Sequence, residues 1–318
     1  MTRVPILHRL AALLALVLVT AVRFNRVATD GSFSDSIQYR LFIEYFRGTA
    51  TAAELAPPYS FRPLLPFAAS LLPMEALTAL NVLNVLALAV SVLVLFSLLG
   101  RMAVPPMRAL GAVAVSVVSF PVFYYGAVGI VDPALIALLT GGVWLLHARR
   151  FLGLALLIFV GTFVKESIVI LIPPAVVLLY FAEPRRGRAV LTAAALVGAY
   201  FLGSTLTRVL SPSDATFFWT SSWETFLSNV SRPRFWAATA LSFGIPGLLA
   251  LSPSRARAAW TGEDRPFALT MVVGVLMAGG VFAYSIVSAY PDGRFSWLAY
   301  PFLIPYIAPS ARALRQNG

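Results

Sequence analysis

The sequence contains no cysteine and only two histidines, His8 and His147. Disulfides, thiolate nucleophiles and cysteine-ligated metals are therefore excluded. A zinc or haem site built on histidine is not expected either, because both histidines lie close to arginines at the expected ends of apolar segments. Charged residues are also scarce, at 12% of the chain, whereas a soluble domain carries roughly 25%. Such a deficit of charge does not suit a water-exposed surface.

Hydrophobic residues make up 59% of the chain and recur in long runs from one end to the other. A helix of roughly 20 apolar residues crosses a bilayer. We therefore predict an all-α fold, a polytopic transmembrane helical bundle with about ten crossings, which forms a single integral membrane domain over residues 1–318. The expected apolar segments are 5–22, 75–99, 108–126, 132–147, 151–164, 167–182, 189–209, 235–252, 266–288 and 295–309.

The arginines indicate how this bundle is oriented. If the N-terminus is inside and the crossings alternate, 14 of the 24 basic residues fall in short inner loops, as the positive-inside rule requires. Both termini then lie in the cytoplasm. The net charge of +11 is spread over separate short loops, so no nucleic-acid binding is expected. The outer side mixes carboxylates with basic residues, which orientation does not require, and is the expected place for chemistry.

The longest outer loop is expected at residues 23–74. Apolar residues spaced four apart predict an amphipathic helix over 34–47 that lies along the outer interface. Asp35 stands at the start of this helix and Asp30 precedes it. A second, shorter interfacial or re-entrant helix is expected at 64–72, which is too short to cross the membrane. The apolar stripe of the first helix consists of Ile37, Leu41 and Tyr45.

The apolar run at 151–182 is interrupted only by Lys165 and Glu166. As one helix it would be about 48 Å long, more than the roughly 30 Å of the hydrocarbon core. Arginines flank both ends, so both ends lie inside and the run must cross an even number of times. We predict two short helices with a turn at Lys165 and Glu166 below the outer surface, where both charges line a cavity and avoid lipid.

Four motifs in this arrangement resemble the GT-C class of integral membrane glycosyltransferases, which use polyprenyl-phosphate sugars. The motifs are Asp35-Ser36-Ile37-Gln38-Tyr39 at the start of the first-loop helix, Phe61-Arg62-Pro63-Leu64-Leu65-Pro66, the Lys165-Glu166 pair between short helices, and Asp292-Gly293-Arg294. The resemblance implies a GT-C-like core over 1–182, with additional C-terminal helices over 183–318. It also implies transfer of a sugar from a polyprenyl-phosphate-linked donor to an acceptor at the outer, periplasmic face.

Inverting sugar transfer needs a carboxylate near the acceptor hydroxyl and cations that stabilise the leaving phosphate. We therefore assign Asp35 as the catalytic carboxylate, with Asp30 as a second candidate. The candidate substrate-binding residues are Arg62, Lys165, Glu166, Arg294, Tyr39 and Asp292. We predict one shared cavity for Asp35, Arg62, Lys165, Glu166 and Arg294.

Several of these residues also have a structural interpretation. Asp35 can cap its helix, because aspartate is favoured at that position. Lys165 and Glu166 can pair with each other. Asp132 precedes Pro133 in a pattern typical of a helix start, so we interpret Asp132 as structural and leave it out of the site.

Two other functions stay open at this point. One is a transporter or flippase of a lipid-linked or small anionic substrate, although no half-repeat of the kind common in transporters is visible. The other is a non-catalytic membrane assembly protein. No metal site is predicted, but a carboxylate that binds a divalent metal is compatible with the outer loop. The expected partners are a polyprenyl-phosphate sugar donor and membrane lipid, and the expected location is the bacterial inner (plasma) membrane.

Overall fold

The computed structural model describes residues 4–24, 34–213, 220–250, 265–289 and 292–307. Within these ranges the chain is helical and contains no strand, which confirms the all-α prediction. Asp30 lies outside the described residues. The helices are α1 (Ile6–Ala21), α2 (Ser34–Phe46), α3 (Leu64–Ser70), α4 (Ala76–Arg101), α5 (Pro106–Val117), α6 (Phe120–Tyr125), α7 (Asp132–His147), α8 (Phe151–Thr162), α9 (Ile172–Ala182), α10 (Arg186–Val209), α11 (Trp223–Val230), α12 (Pro233–Ala250), α13 (Arg265–Ser288), α14 (Arg294–Trp297) and α15 (Tyr300–Ile307).

The long apolar helices identify a multi-pass membrane bundle. In the described part of the chain, α4, α10 and α13 are long and apolar enough to cross a membrane. Shorter apolar helices, among them α1, α7 and α8, pack around them in one hydrophobic core. The total of about ten crossings stays a prediction.

The apolar run at 151–182 is divided into two short helices, as its length and flanking arginines predict. α8 ends at Thr162, and a 3₁₀ helix, Glu166–Leu171, leads into α9. Lys165 between them has an extended backbone, with φ of −167° and ψ of 135°. The two charged residues therefore stand at a break in the helical backbone and not on the side of a continuous helix.

Polar side chains of α4 hold the loop that precedes α7. The Asn81 side-chain oxygen accepts a hydrogen bond from the Gly129 amide at 2.6 Å, and Asn84 donates to the Ile130 carbonyl at 2.6 Å. All four groups are buried, so the bonds satisfy backbone groups that would otherwise be costly in an apolar core. They fix the point at which α7 begins, and with it the position of Asp132.

The helix α2 is attached to the bundle through one face. The Ser36 hydroxyl donates to the Val128 carbonyl at 2.6 Å, and Tyr39, Phe42 and Ile43 are buried. The predicted apolar stripe lies on another face and stays partly or fully exposed. The packed face is the one that also carries Asp35, so the start of α2 is directed into the bundle.

A short loop after α2 returns the chain to the bundle. It includes a 3₁₀ helix, Tyr59–Phe61, followed by Arg62 and by α3, where the sequence predicts a short helix. The Leu64 amide donates to the Phe163 carbonyl at 3.1 Å. The loop is thereby attached next to the break between α8 and α9.

Gly203 allows α10 to lie close to α8. A methyl group at Gly203 would stand 2.9 Å from the Phe159 carbonyl oxygen and would also collide with Thr162. Small residues permit this kind of close backbone approach between membrane helices. Gly198 on the same helix faces open space, because a methyl group at this position would have no neighbouring atom within 4 Å.

We predict that Gly203→Ala destabilises the protein by about 1–3 kcal/mol, the usual cost of overpacking a core. Gly198→Ala is the matched control, because it makes the same chemical change on the same helix without a collision. The measurement is thermal unfolding of the purified variants in detergent. Equal stability of the two variants would contradict the close packing of α8 and α10.

Candidate active site

A cavity of about 960 Å³ lies among α2, α6, α12, α13 and the break between α8 and α9. Its walls combine charged groups with apolar side chains such as Leu241 and Val281. The structure brings together the five residues that the sequence predicts in one cavity, which are Asp35, Arg62, Lys165, Glu166 and Arg294. They come from four separate regions of the chain.

Arg294 is the centre of these contacts. Its Nη1 atom lies 2.6 Å from Asp35 Oδ2, and its Nε atom lies 2.8 Å from Asp292 Oδ2. The same Nη1 atom is 3.9 Å from Asp132 Oδ2. Only 11% of the Arg294 side chain is exposed. The guanidinium group is thus shared among three carboxylates in a largely buried setting.

Gly293 lets the Arg294 turn approach α12. A methyl group at this position would lie 2.8 Å from the Ala238 carbonyl oxygen and would collide with Ser242. The Asp292 carboxylate also accepts a hydrogen bond from the Arg294 backbone amide at 2.9 Å. Asp292 and Arg294 therefore form one local unit that is pressed against α12.

Asp35 contacts groups well beyond its own helix. Its Oδ1 atom accepts a hydrogen bond from the Tyr59 hydroxyl at 2.7 Å, while Oδ2 contacts Arg294. Burial by itself raises the pKa of the Asp35 carboxyl, but Arg294 and Tyr59 outweigh burial and lower this pKa from 3.8 to about 2. The stabilisation from this depressed pKa is complete above the ordinary value of 3.8 and is lost as the pH falls through about 2. Asp35 is accordingly a carboxylate at neutral pH.

Lys165 pairs with Asp132 and not with its sequence neighbour Glu166. The Lys165 Nζ atom lies 2.7 Å from Asp132 Oδ1, and the two residues are only 8% and 4% exposed. Asp132 stands at a helix start, as the sequence predicts, and does not line the cavity, but the helix-start pattern did not predict its ion pair with Lys165. The helix does begin at Asp132, with Pro133 in its first turn, but the carboxylate projects to Lys165. A charged residue at the end of an apolar segment needs a partner of opposite charge. This requirement could have predicted an ion pair for Asp132, but the helix-start pattern offered another explanation for the residue.

Arg62 and Glu166 form a further ion pair. Arg62 Nε donates to Glu166 Oε2 at 3.0 Å, Arg62 Nη2 contacts Glu166 Oε1, and Arg62 Nη1 donates to the Tyr39 hydroxyl at 2.9 Å. Tyr39 is only 1% exposed and lies behind Arg62. Its predicted substrate-binding role stays a prediction, and in this structure its hydroxyl contacts Arg62.

The side chains in these contacts form a charged cluster, which we define as Arg62, Lys165, Arg294, Asp35, Asp132, Glu166 and Asp292. Three cations and four carboxylates give a charge of −1 when all are ionised. Burial raises the pKa of the Asp292 carboxyl, although Arg294 opposes this. Each cation of the cluster already contacts a carboxylate, so a phosphate that binds one of these cations competes with that carboxylate. Arg232 and Arg234 add positive charge elsewhere along the cavity wall.

Two further features bear on the chemistry. Sequence reasoning missed Tyr59, because a tyrosine in a proline-rich loop carries no signal for a bond to a carboxylate 24 positions away.

Among the residues that the structure describes, no group of three or more histidine, cysteine, aspartate or glutamate side chains is arranged to hold a metal ion. Asp30 is not described, and its predicted catalytic role stays a prediction.

We predict that Asp132→Asn lowers the stability of the protein by about 3–5 kcal/mol, because it leaves the buried Lys165 ammonium without its counter-ion. Glu44→Gln disrupts the exposed Arg40–Glu44 pair and should cost less than about 1 kcal/mol. The double variant Asp132→Leu/Lys165→Met removes both charges and should recover most of the loss. Thermal unfolding in detergent checks all three, and an Asp132→Asn variant as stable as Glu44→Gln would contradict the buried pair.

The comparisons with known proteins identify a family. The family model for glycosyltransferase family 87 matches residues 55–305. This range contains every member of the charged cluster except Asp35, which precedes it. A search of curated proteins and a search of solved structures each found no match. The match spans well over half of the chain and supports the resemblance to membrane glycosyltransferases, so the chain belongs to glycosyltransferase family 87.

Proposed function

We propose that this glycosyltransferase moves a sugar from a polyprenyl-phosphate-linked donor to a hydroxyl acceptor at the outer, periplasmic face of the bacterial inner membrane. The observation that carries the proposal is the contact between Asp35 and Arg294 at the wall of a large cavity within a membrane bundle. The two groups supply what the transfer requires, a carboxylate for the acceptor and a cation for the leaving phosphate.

The position of the cavity supports a lipid-linked donor. Its walls include apolar residues of α12 and α13, among them Leu241 and Val281, beside the charged cluster. A long prenyl chain matches an apolar helical surface, and its phosphate matches a guanidinium, which binds phosphate oxygens in a bidentate way. Lys165 lies close enough to the same cavity to add a second positive charge.

In the proposed reaction the acceptor oxygen attacks the anomeric carbon of the sugar. The bond between this carbon and the phosphate oxygen breaks, and the polyprenyl phosphate leaves with the electron pair. The acceptor proton passes to the Asp35 carboxylate. Arg294, and Lys165 beside it, stabilise the negative charge that grows on the phosphate as the bond breaks.

The other two functions are less well supported. A flippase or transporter would need two access routes to a central site. The charged cluster instead offers a carboxylate and cations, the groups that sugar transfer requires. The family assignment also favours a transferase over a non-catalytic assembly protein. We therefore keep sugar transfer as the proposed activity.

The arginine distribution supports an outer location of the site and leads to a prediction about topology. Reporter fusions placed after Arg149, Arg186 and Arg257 should report a cytoplasmic location, because arginine-rich short loops are retained inside. Paired cytoplasmic and periplasmic reporters at each position give the measurement. A periplasmic location of the 183–188 loop would contradict the orientation and move the site to the other side of the membrane.

We predict that Asp35→Asn reduces sugar transfer by about two orders of magnitude or more, the usual scale for loss of a general base. Asparagine keeps the side-chain size and most of the capping ability, so a residue that only caps its helix should tolerate the change. The control is Glu44→Gln on the same helix, away from the cluster. Transfer is measured in membranes with matched amounts of protein, and full activity of Asp35→Asn would remove Asp35 from the mechanism.

A further inference from the structure

We infer that the Asp35 carboxylate occupies the place on Arg294 that the donor phosphate takes, so that donor binding displaces Asp35 and makes it available to the acceptor. Asp35 then competes with the donor phosphate for Arg294, and it is also the group that takes the proton from the acceptor. The inference rests on the proposed function, because it assigns two anions in turn to one guanidinium.

Arg294 is the cation of the cluster best suited to exchange its partner. Arg62 donates to both oxygens of Glu166 and to Tyr39, and it is only 5% exposed. Lys165 is held by Asp132 in a deeply buried pair. All three cations line the cavity, but Asp35 contacts Arg294 through a single nitrogen, and the Asp35 side chain is 19% exposed whereas that of Asp132 is 5% exposed.

Asp35 is the carboxylate that can leave Arg294. Asp292 is two positions away and binds both the side chain and the backbone amide of Arg294, so the two residues move together. Asp35 is 259 positions away, on α2, and reaches Arg294 through the single Nη1 atom. Its other oxygen accepts the Tyr59 hydroxyl hydrogen bond, which does not depend on Arg294. Tyr59 can therefore hold Asp35 at the cavity wall after the exchange.

The charge of the cluster makes an exchange more favourable than simple addition. When all seven residues of the cluster are ionised, the carboxylates outnumber the cations by one, so an anion that approaches Arg294 is repelled by the carboxylates around it unless one of them withdraws. Once Arg294 turns to phosphate, Asp35 loses the main cause of its low pKa while its burial remains, so its affinity for a proton rises. A carboxylate that is a poor base in the resting site becomes a better base when the donor is in place.

The test is the affinity of the protein for a short-chain polyprenyl phosphate, measured by isothermal titration calorimetry in detergent. The proteins compared are the wild type, Asp35→Asn, Asp35→Ala and the control Glu44→Gln. We expect both Asp35 variants to bind on the order of tenfold more tightly than the wild type, because the competing carboxylate is gone, and the control to match the wild type. The alanine variant shows that a new amide–phosphate bond is not the cause.

A second comparison shows whether the effect passes through Arg294. In an Arg294→Gln background, Asp35→Asn should change the affinity less than about twofold, because there is no shared guanidinium left. Thermal unfolding checks that the double variant Asp35→Asn/Arg294→Gln folds. Because this variant lacks both charges of the pair, no unpaired carboxylate remains at position 35. Titration with inorganic phosphate in parallel shows how much of the recognition belongs to the phosphate group and how much to the prenyl chain.

Each outcome decides the matter. Tighter binding by both Asp35 variants, lost in the Arg294→Gln background, supports the exchange. Unchanged or weaker binding by the Asp35 variants overturns the exchange while the proposed function stands. If the wild type binds no polyprenyl phosphate, the donor class of the proposed function is wrong, and the inference falls with it.

Discussion

Charges buried among apolar helices must be matched by opposite charges, and the site of this protein follows from that constraint. Arg62, Lys165 and Arg294 each contact a carboxylate from a distant part of the sequence. Removing one partner of a buried pair costs far more stability than an exposed pair contributes, because the remaining charge is neither paired nor solvated. The same pairs that stabilise the bundle therefore bring the first loop, the middle helices and the last short helix to one cavity.

The pairs differ in how deeply they are buried, and this difference suits the proposed exchange of anions at Arg294. Lys165 and Asp132 are both deeply buried, and Asp132 stands on a helix start that Asn81 and Asn84 fix in place. Asp35 is less deeply buried, because its side chain is 19% exposed whereas that of Asp132 is 5% exposed. Deeply buried pairs keep the cavity in shape, while a less deeply buried pair can take part in chemistry.

The amino-acid sequence is a good guide to the helices of this protein and a poor guide to its ion pairs. Apolar runs and flanking arginines predict most of the helices, including the break at Lys165, because burial in lipid depends on local composition. The expected segments 108–126 and 295–309 are each divided into two helices, which composition alone does not show. The choice of partners does not depend on local composition. Lys165 and Glu166 are adjacent, yet the break directs them to Asp132 and Arg62. Asp132 also shows why a local pattern can mislead, since a helix-start aspartate and a buried counter-ion look the same in one sequence.

The loop that carries Tyr59 and Arg62 has a consequence for how relatives of this protein can diverge. Tyr59 contacts Asp35, and Arg62 contacts Glu166, with the Arg62 guanidinium 5.8 Å from the Tyr59 ring. An insertion or deletion in this loop would displace both contacts without changing the sequence of any membrane helix. Relatives can therefore reshape this part of the cavity through the loop while the packing of the helical core is retained.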